Sequence, residues 1–144
     1  SCSGILLLQS VLNSEIFVGR CRILKSQSLP GTLPSQLFKL PYLKELDLTR
    51  NYLSGEIPRE WGSTKLLKIS LFGNRLTGSI PEEIGNITTL RELVLENNHL
   101  SGRLPSALGN LSNLERFFLS SNNFTGKLPK SLGMLKSLIV LGIR

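Results

Sequence analysis

Histidine, cysteine and aromatic residues are scarce in this chain, and the scarcity removes several kinds of chemistry. Its 144 residues hold one histidine, His99, and two cysteines, Cys2 and Cys21. Zinc sites need three or four Cys, His or carboxylate ligands at short spacings. These three residues do not supply that pattern, so no metal site is expected. Ser-His-Asp catalysis needs a histidine held by an acidic partner; nothing positions one beside His99, which reads as an exposed turn residue. The glycines recur at turns and do not gather into a phosphate loop. No catalytic and no cofactor-binding residue is expected. A run of 18 apolar residues is also missing, so the chain has no transmembrane span. Aromatics make up 6% of residues against 40% hydrophobic in all, which points to an aliphatic interior.

What the chain has is repetition. Residues 90–113, LRELVLENNHLSGRLPSALGNLSN, recur as 66–89 and 114–137, and as 43–65 in a form one residue shorter. The unit is L-x-x-L-x-L-x-x-N-x-L-x-G-x-[IL]-P. A fixed period of this length decides the architecture before any local reading. The first half alternates: Leu93 and Leu95 point inward, while Glu92, Val94 and Glu96 lie between and beside them. Period 2 predicts a short strand with one buried face. An asparagine follows at a fixed offset: Asn51, Asn74, Asn98 and Asn122. A polar side chain in an apolar frame needs partners, and backbone groups of the turn and the adjacent coil are the natural ones. Stacked coils therefore predict a ladder of asparagines. The glycine and proline of the next segment force a turn, because glycine accepts positive φ and proline cannot donate to a ladder. The remainder has room for one short helical turn. A single coil buries too little to fold alone, so neighbours share faces and the product is a solenoid.

The consensus is similar to the plant-specific class of leucine-rich repeats, over residues 29–144. The segment [LF]-x-G-x-[IL]-P recurs five times in register, ending at Pro34, Pro58, Pro81, Pro105 and Pro129. Residues 29–86 resemble more narrowly the extracellular part of plant leucine-rich-repeat receptor-like serine/threonine kinases, in the subgroup that also carries a malectin-like domain. The copy Pro58-Arg59-Glu60-Trp61-Gly62, with its one-residue deletion, is the most distinctive part. The resemblance implies an α/β repeat fold: a leucine-rich-repeat solenoid, with short parallel strands on the concave face and short helical or 3-10 turns on the convex side. It implies a location outside the plasma membrane, on a single-pass receptor. Its kinase domain, the only place for ATP, lies outside these residues.

The domain reading is an irregular N-terminal segment, 1–18, followed by repeats over 19–144: about five coils and the start of a sixth. Segment 1–18 is open to three readings: a partial cap, a signal-peptide remnant, or a mis-assembled terminus. Cys2 and Cys21 are either a disulfide of an oxidising compartment or two separate thiols. Residues 19–42 form a degenerate coil, with Gln27 at the asparagine position and Arg22 at an apolar strand position. Leu138, Leu141 and Ile143 open a sixth strand, and the sequence reads as a fragment.

Side-by-side strands set the non-core residues in columns. One reads Glu45, Lys68, Glu92, Arg116; the next Asp47, Ser70, Val94, Phe118; a third Thr49, Phe72, Glu96, Ser120. The alternating signs of the first suggest pairing between coils. Phe72, Val94 and Phe118 are apolar at outward positions, and read either as a contact patch or as side chains packed on one another's stems. The net charge of +7 comes from cations spread one or two per coil, which reads as a solvated surface and not as a nucleic-acid site. Glycosylation sequons begin at Asn86, Asn110 and Asn123, the last crowded against Asn122. The reading is a binding module for a peptide, glycan or protein ligand, with a co-receptor a further candidate partner. A secreted inhibitor of cell-wall-degrading enzymes and a structural spacer are the alternatives.

Overall fold

A computed structural model describes residues 21–143 apart from 24 and 27. The segment 1–18, Gln27 and the Cys2–Cys21 pairing lie outside the described residues. Among those described, the strands are β1 (Cys21–Ile23), β2 (Pro30–Thr32), β3 (Glu45–Asp47), β4 (Tyr52–Gly55), β5 (Lys68–Ser70), β6 (Arg75–Leu76), β7 (Glu92–Val94), β8 (Ser101–Gly102), β9 (Arg116–Phe118), β10 (Asn123–Phe124) and β11 (Val140–Gly142). The odd-numbered strands form one parallel sheet in the order β1-β3-β5-β7-β9-β11. Each is one coil further along the chain, which is the solenoid that the repeat predicts.

The even-numbered strands form two smaller parallel sheets, β2-β4-β6 and β8-β10. They occupy the leucine-serine-glycine segment that sequence reasoning treats only as a turn. Gly102, at φ 74, ends such a strand in a left-handed conformation that an L side chain adopts only under strain. Proline then extends the backbone, as at Pro105, and a 3-10 turn follows: Arg59–Ser63, Glu82–Asn86, Ser106–Asn110 and Lys130–Met134, with the shorter Leu37–Lys39 before them. The carbonyls of Pro81 and Pro105 accept from the N–H groups of Ile84 and Leu108, the i→i+3 bonds of that helix type.

The interior is a stack of aliphatic layers. The coil at 90–113 buries Leu90, Leu93, Leu95, Leu100, Leu104, Leu108 and Leu111. Each layer is covered by the same positions of the next coil. Through the stack runs the asparagine column. Asn98 Oδ1 accepts from Leu76 N at 3.1 Å, while its Nδ2 donates to Leu71 O at 2.9 Å and Leu95 O at 3.1 Å. Asn74 and Asn122 repeat that pattern one coil earlier and one later. Asn51 accepts from Leu29 N and donates to Leu48 O. One side chain thus ties its own turn to the preceding coil.

The 3-10 turns pack so closely that a glycine is required between them. A Cβ added to Gly85 would lie 2.3 Å from Ala107 O, a backbone atom that cannot swing aside. At Gly133 nothing lies within 4 Å. Gly85→Ala is expected to cost about 1–3 kcal/mol by overpacking. Gly133→Ala is expected to be neutral or slightly stabilising through the reduced freedom of the unfolded chain. Urea midpoints of the two variants check the pair, and equal midpoints would refute this account of the coil spacing.

Candidate functional site

The six-stranded sheet is a single layer, covered on one face by the leucine core and open on the other. Strand pairing aligns Glu45, Lys68, Glu92 and Arg116 as Cα partners, and likewise Asp47, Ser70, Val94 and Phe118. Backbone bonds from Arg50 N to Phe72 O, Gly73 N to Glu96 O and Asn97 N to Ser120 O carry the register to the third column. The open face therefore presents the three columns side by side.

The first column is a charged rim. Lys68 Nζ stands 3.9 Å from Glu92 Oε2, both side chains partly exposed, and such a pair contributes about 0–1 kcal/mol. With Arg91 and Glu115 from the neighbouring position, Glu45, Lys68, Glu92 and Arg116 line a shallow cavity of about 270 Å³. Signs alternate along the coils, so the cavity is polar without a strong net field.

Beside the rim runs a stripe of partly exposed apolar side chains: Phe72, Val94 and Phe118. Val94 and Phe118 are direct cross-strand partners, and Phe72 is diagonal to Val94. A diagonal pair is within reach of an aromatic side chain. The Phe118 ring leans over Gly142, where an added Cβ would lie 2.7 Å from its Cδ1. Arg50 completes the stripe with its guanidinium 5.7 Å from the Phe72 ring centroid. Sequence reasoning left Arg50 out. The signal was its place next to the third column, where Gly73, Asn97 and Ser121 share its left-handed φ and it alone carries a long cation.

Asp47 departs from expectation. It sits in the second column, yet it is 4% exposed. Its Oδ1 accepts from Thr49 N at 3.1 Å, and Lys25 Nζ lies 3.3 Å from Oδ2. Burial raises its pKa, but the Thr49 bonds and the Lys25 ammonium outweigh burial and hold the carboxyl below its ordinary value. Ser70 is buried beside it and shares a 2.9 Å hydroxyl contact with Thr49. Side chains of neighbouring coils cover both residues, so Asp47 ties coils together.

The sequon residues fall on two other surfaces. Asn86 and Asn110 end consecutive 3-10 turns on the convex side and are exposed. Asn123 opens β10 and is exposed too. His99 is exposed. Tyr52, also outward, carries Arg75 over its ring at 4.8 Å. Among the described residues no group of three His, Cys, Asp or Glu is placed to hold a metal ion, and no helix is long and apolar enough to cross a membrane.

Coils stacked by an asparagine ladder, with one long sheet face left open, define the class: a parallel-strand repeat solenoid. The chain belongs to the leucine-rich repeat family, whose pattern matches residues 42–64, 65–87, 89–111 and 113–135. It is homologous to plant leucine-rich-repeat receptor-like kinases. One relative, a probable leucine-rich repeat receptor-like serine/threonine-protein kinase of Arabidopsis thaliana, is 59% identical over 74 residues, 51% of this chain and 7% of that protein. The chain thus spans a small fraction of the curated relatives it matches. Among solved structures, the ectodomain of the receptor kinase SOBIR1 from Arabidopsis thaliana superposes with a TM-score of 0.78 at 30% identity, covering 94% of this chain and 87% of that one. The plant peptide hormone receptor RGFR1 in complex with RGF2 gives 0.75 at 38% identity, covering 77% and 18%. The BIR3–SERK2 complex from Arabidopsis thaliana gives 0.75 at 36%, covering 85% and 68%.

Proposed function

We propose that this chain is a partner-docking stretch of the extracellular part of a plant receptor-like serine/threonine kinase, acting in perception at the cell surface. Its ligand is an extended peptide or a protein segment laid across the open sheet, with a co-receptor as second partner. One observation carries the reading: Phe72, Val94 and Phe118 remain partly exposed in adjoining positions on that sheet, with Arg50 and Glu96 setting opposite charges beside them. Such a stripe gains free energy when a ligand side chain covers it, and the flanking charges orient the ligand. The similarity to a hormone receptor solved with its peptide supports the same reading. Residues 29–86 support the finer placement in the subgroup with a malectin-like domain. The kinase domain and its ATP belong to the parent protein, outside this chain.

The experiment is a binding screen of the ectodomain containing this chain against secreted plant peptides and receptor ectodomains. The hit is then measured against the Phe72→Ser, Val94→Ser, Phe118→Ser triple variant. The expected result is a loss of at least about tenfold in affinity, which corresponds to about 1.4 kcal/mol. Unchanged affinity would make this stretch a spacer between other binding coils.

A further inference from the structure

The convex side holds a feature that the docking reading does not use. Phe38 stands in the shortest 3-10 turn, Leu37–Lys39, at the position that later coils give to glycine: Gly62, Gly85 and Gly109. Where Gly62 has the Glu83 carbonyl pressed against it, Phe38 carries a full ring, which stays on the surface, 49% exposed. It forms one wall of a cleft of about 350 Å³ whose other walls include Arg59, Glu60, Ser63, Glu83 and Asn86. Asn86 heads the sequon Asn86-Ile87-Thr88, and both Asn86 and Thr88 are exposed. An acceptor asparagine therefore opens into a cleft with one aromatic wall and several hydrogen-bonding groups. A pyranose fits such a cleft, since its C–H face covers an aromatic ring while its hydroxyls and acetamide pair with charged and hydroxyl side chains.

We infer that Asn86 is N-glycosylated and that the first sugars of its glycan are seated in this cleft against Phe38. The inference rests on the extracellular placement proposed above. In the transfer, Asn86 Nδ2 attacks C1 of the first N-acetylglucosamine of a lipid-diphosphate-linked oligosaccharide. The N–C1 bond forms and the C1–O bond breaks. The lipid diphosphate leaves with the electron pair, and the amide proton passes to a base of the transferring enzyme. Folding then brings Phe38 and Arg59 beneath the sugar. Asn110, one coil on, has Gly62 at the position where Asn86 has Phe38, so its glycan gains no aromatic wall from that position. The seated glycan closes this part of the convex side and leaves the open sheet for partners.

The test uses the full chain secreted from plant cells. Trypsin places each sequon in its own peptide, 76–91, 104–116 and 117–127. Mass spectrometry after peptide N-glycanase then reads each site as Asn or Asp. The expected result is Asn86 occupied in most molecules. On the native protein, Phe38→Ala is expected to speed endoglycosidase removal of the Asn86 glycan several-fold, with the rate at Asn110 unchanged as the control for folding. An unoccupied Asn86 beside an occupied Asn110 or Asn123 overturns the inference while leaving the extracellular reading intact. A removal rate at Asn86 unmoved by Phe38→Ala overturns it as well. A chain that stays in the cytosol by protease protection, with all three sites bare, overturns both.

Discussion

Asn98→Ala is expected to lower the stability of the solenoid by about 2–6 kcal/mol, a large share of what a domain of this size holds in reserve. The substitution leaves Leu76 N–H buried with no acceptor, since Asn98 Oδ1 is the partner at 3.1 Å. An orphaned buried donor costs about 1–3 kcal/mol. The three carbonyls fare better: Glu96 O, 3.2 Å from Asn98 Nδ2, keeps Gly73 N as a donor. Leu71 O still accepts from Asn74 Nδ2, and Leu95 O from Asn122 Nδ2, so each loses one of two side-chain donors. Those two losses contribute about 0.5–1.5 kcal/mol each. Asn122→Ala is expected to cost less, because Asn122 is only partly buried and water reaches the groups it leaves behind. Because Asn98 joins two coils, the damage falls on the interface between them, the term that makes a repeat array cooperative. Urea unfolding followed by Trp61 fluorescence reads the loss. Hydrogen exchange at Leu76 N–H reads its location. A cost within about 0.5 kcal/mol, the range of an ordinary surface change, would show that the ladder is not a source of stability.

The repeat made much of this fold legible. A period of 24 with leucines in fixed places sets which residues face the core, and alternation sets the strand direction, so the columns at Glu45, Lys68, Glu92 and Arg116 follow from arithmetic. Alternation gives direction but not depth. Asp47 and Val94 share a column, yet Asp47 is buried beneath Lys25 and Thr49 while Val94 is partly exposed. That difference depends on the side chains of neighbouring coils, which a single unit does not encode. The small second sheets stayed hidden for another reason. A strand such as Ser101–Gly102 has two residues and contains a glycine, so it carries no period-2 signal. Its pairing exists because the next coil repeats the same backbone path beside it. The Phe38 cleft likewise depends on three coils lying side by side.

Trp61→Ala is expected to be the other severe change, at about 3–5 kcal/mol for a buried tryptophan cut back to a methyl. The reason lies in the short coil at 43–65. Its neighbours run from proline to the next core leucine in nine steps, as from Pro81 to Leu90; here Pro58 reaches Leu66 in eight. The following coils place a buried aliphatic residue after the 3-10 turn, Ile87 and Leu111. In the short coil that place falls to Thr64, whose ψ of 168 is extended where Ile87 and Leu111 have 69 and 67. The extended step spans the gap to the next strand with one residue fewer, but it gives up an apolar layer, and Thr64 turns its hydroxyl to Trp61 O at 2.7 Å. Trp61 restores the volume. It takes the position of Leu37, Ile84 and Leu108, is 0% exposed, and its Nε1 donates to Pro34 O at 2.7 Å, so the ring is fixed against the preceding coil. Alanine would open a cavity at the point where the coil is already short and would unpair the Pro34 carbonyl. Trp61→Leu keeps the side-chain type of the neighbouring coils but not the volume, and is expected to fall between the two. Urea unfolding followed by circular dichroism orders the three proteins. A Trp61→Leu variant as stable as the parent would mean that the deletion leaves no gap to fill, and that the tryptophan is there for some other reason.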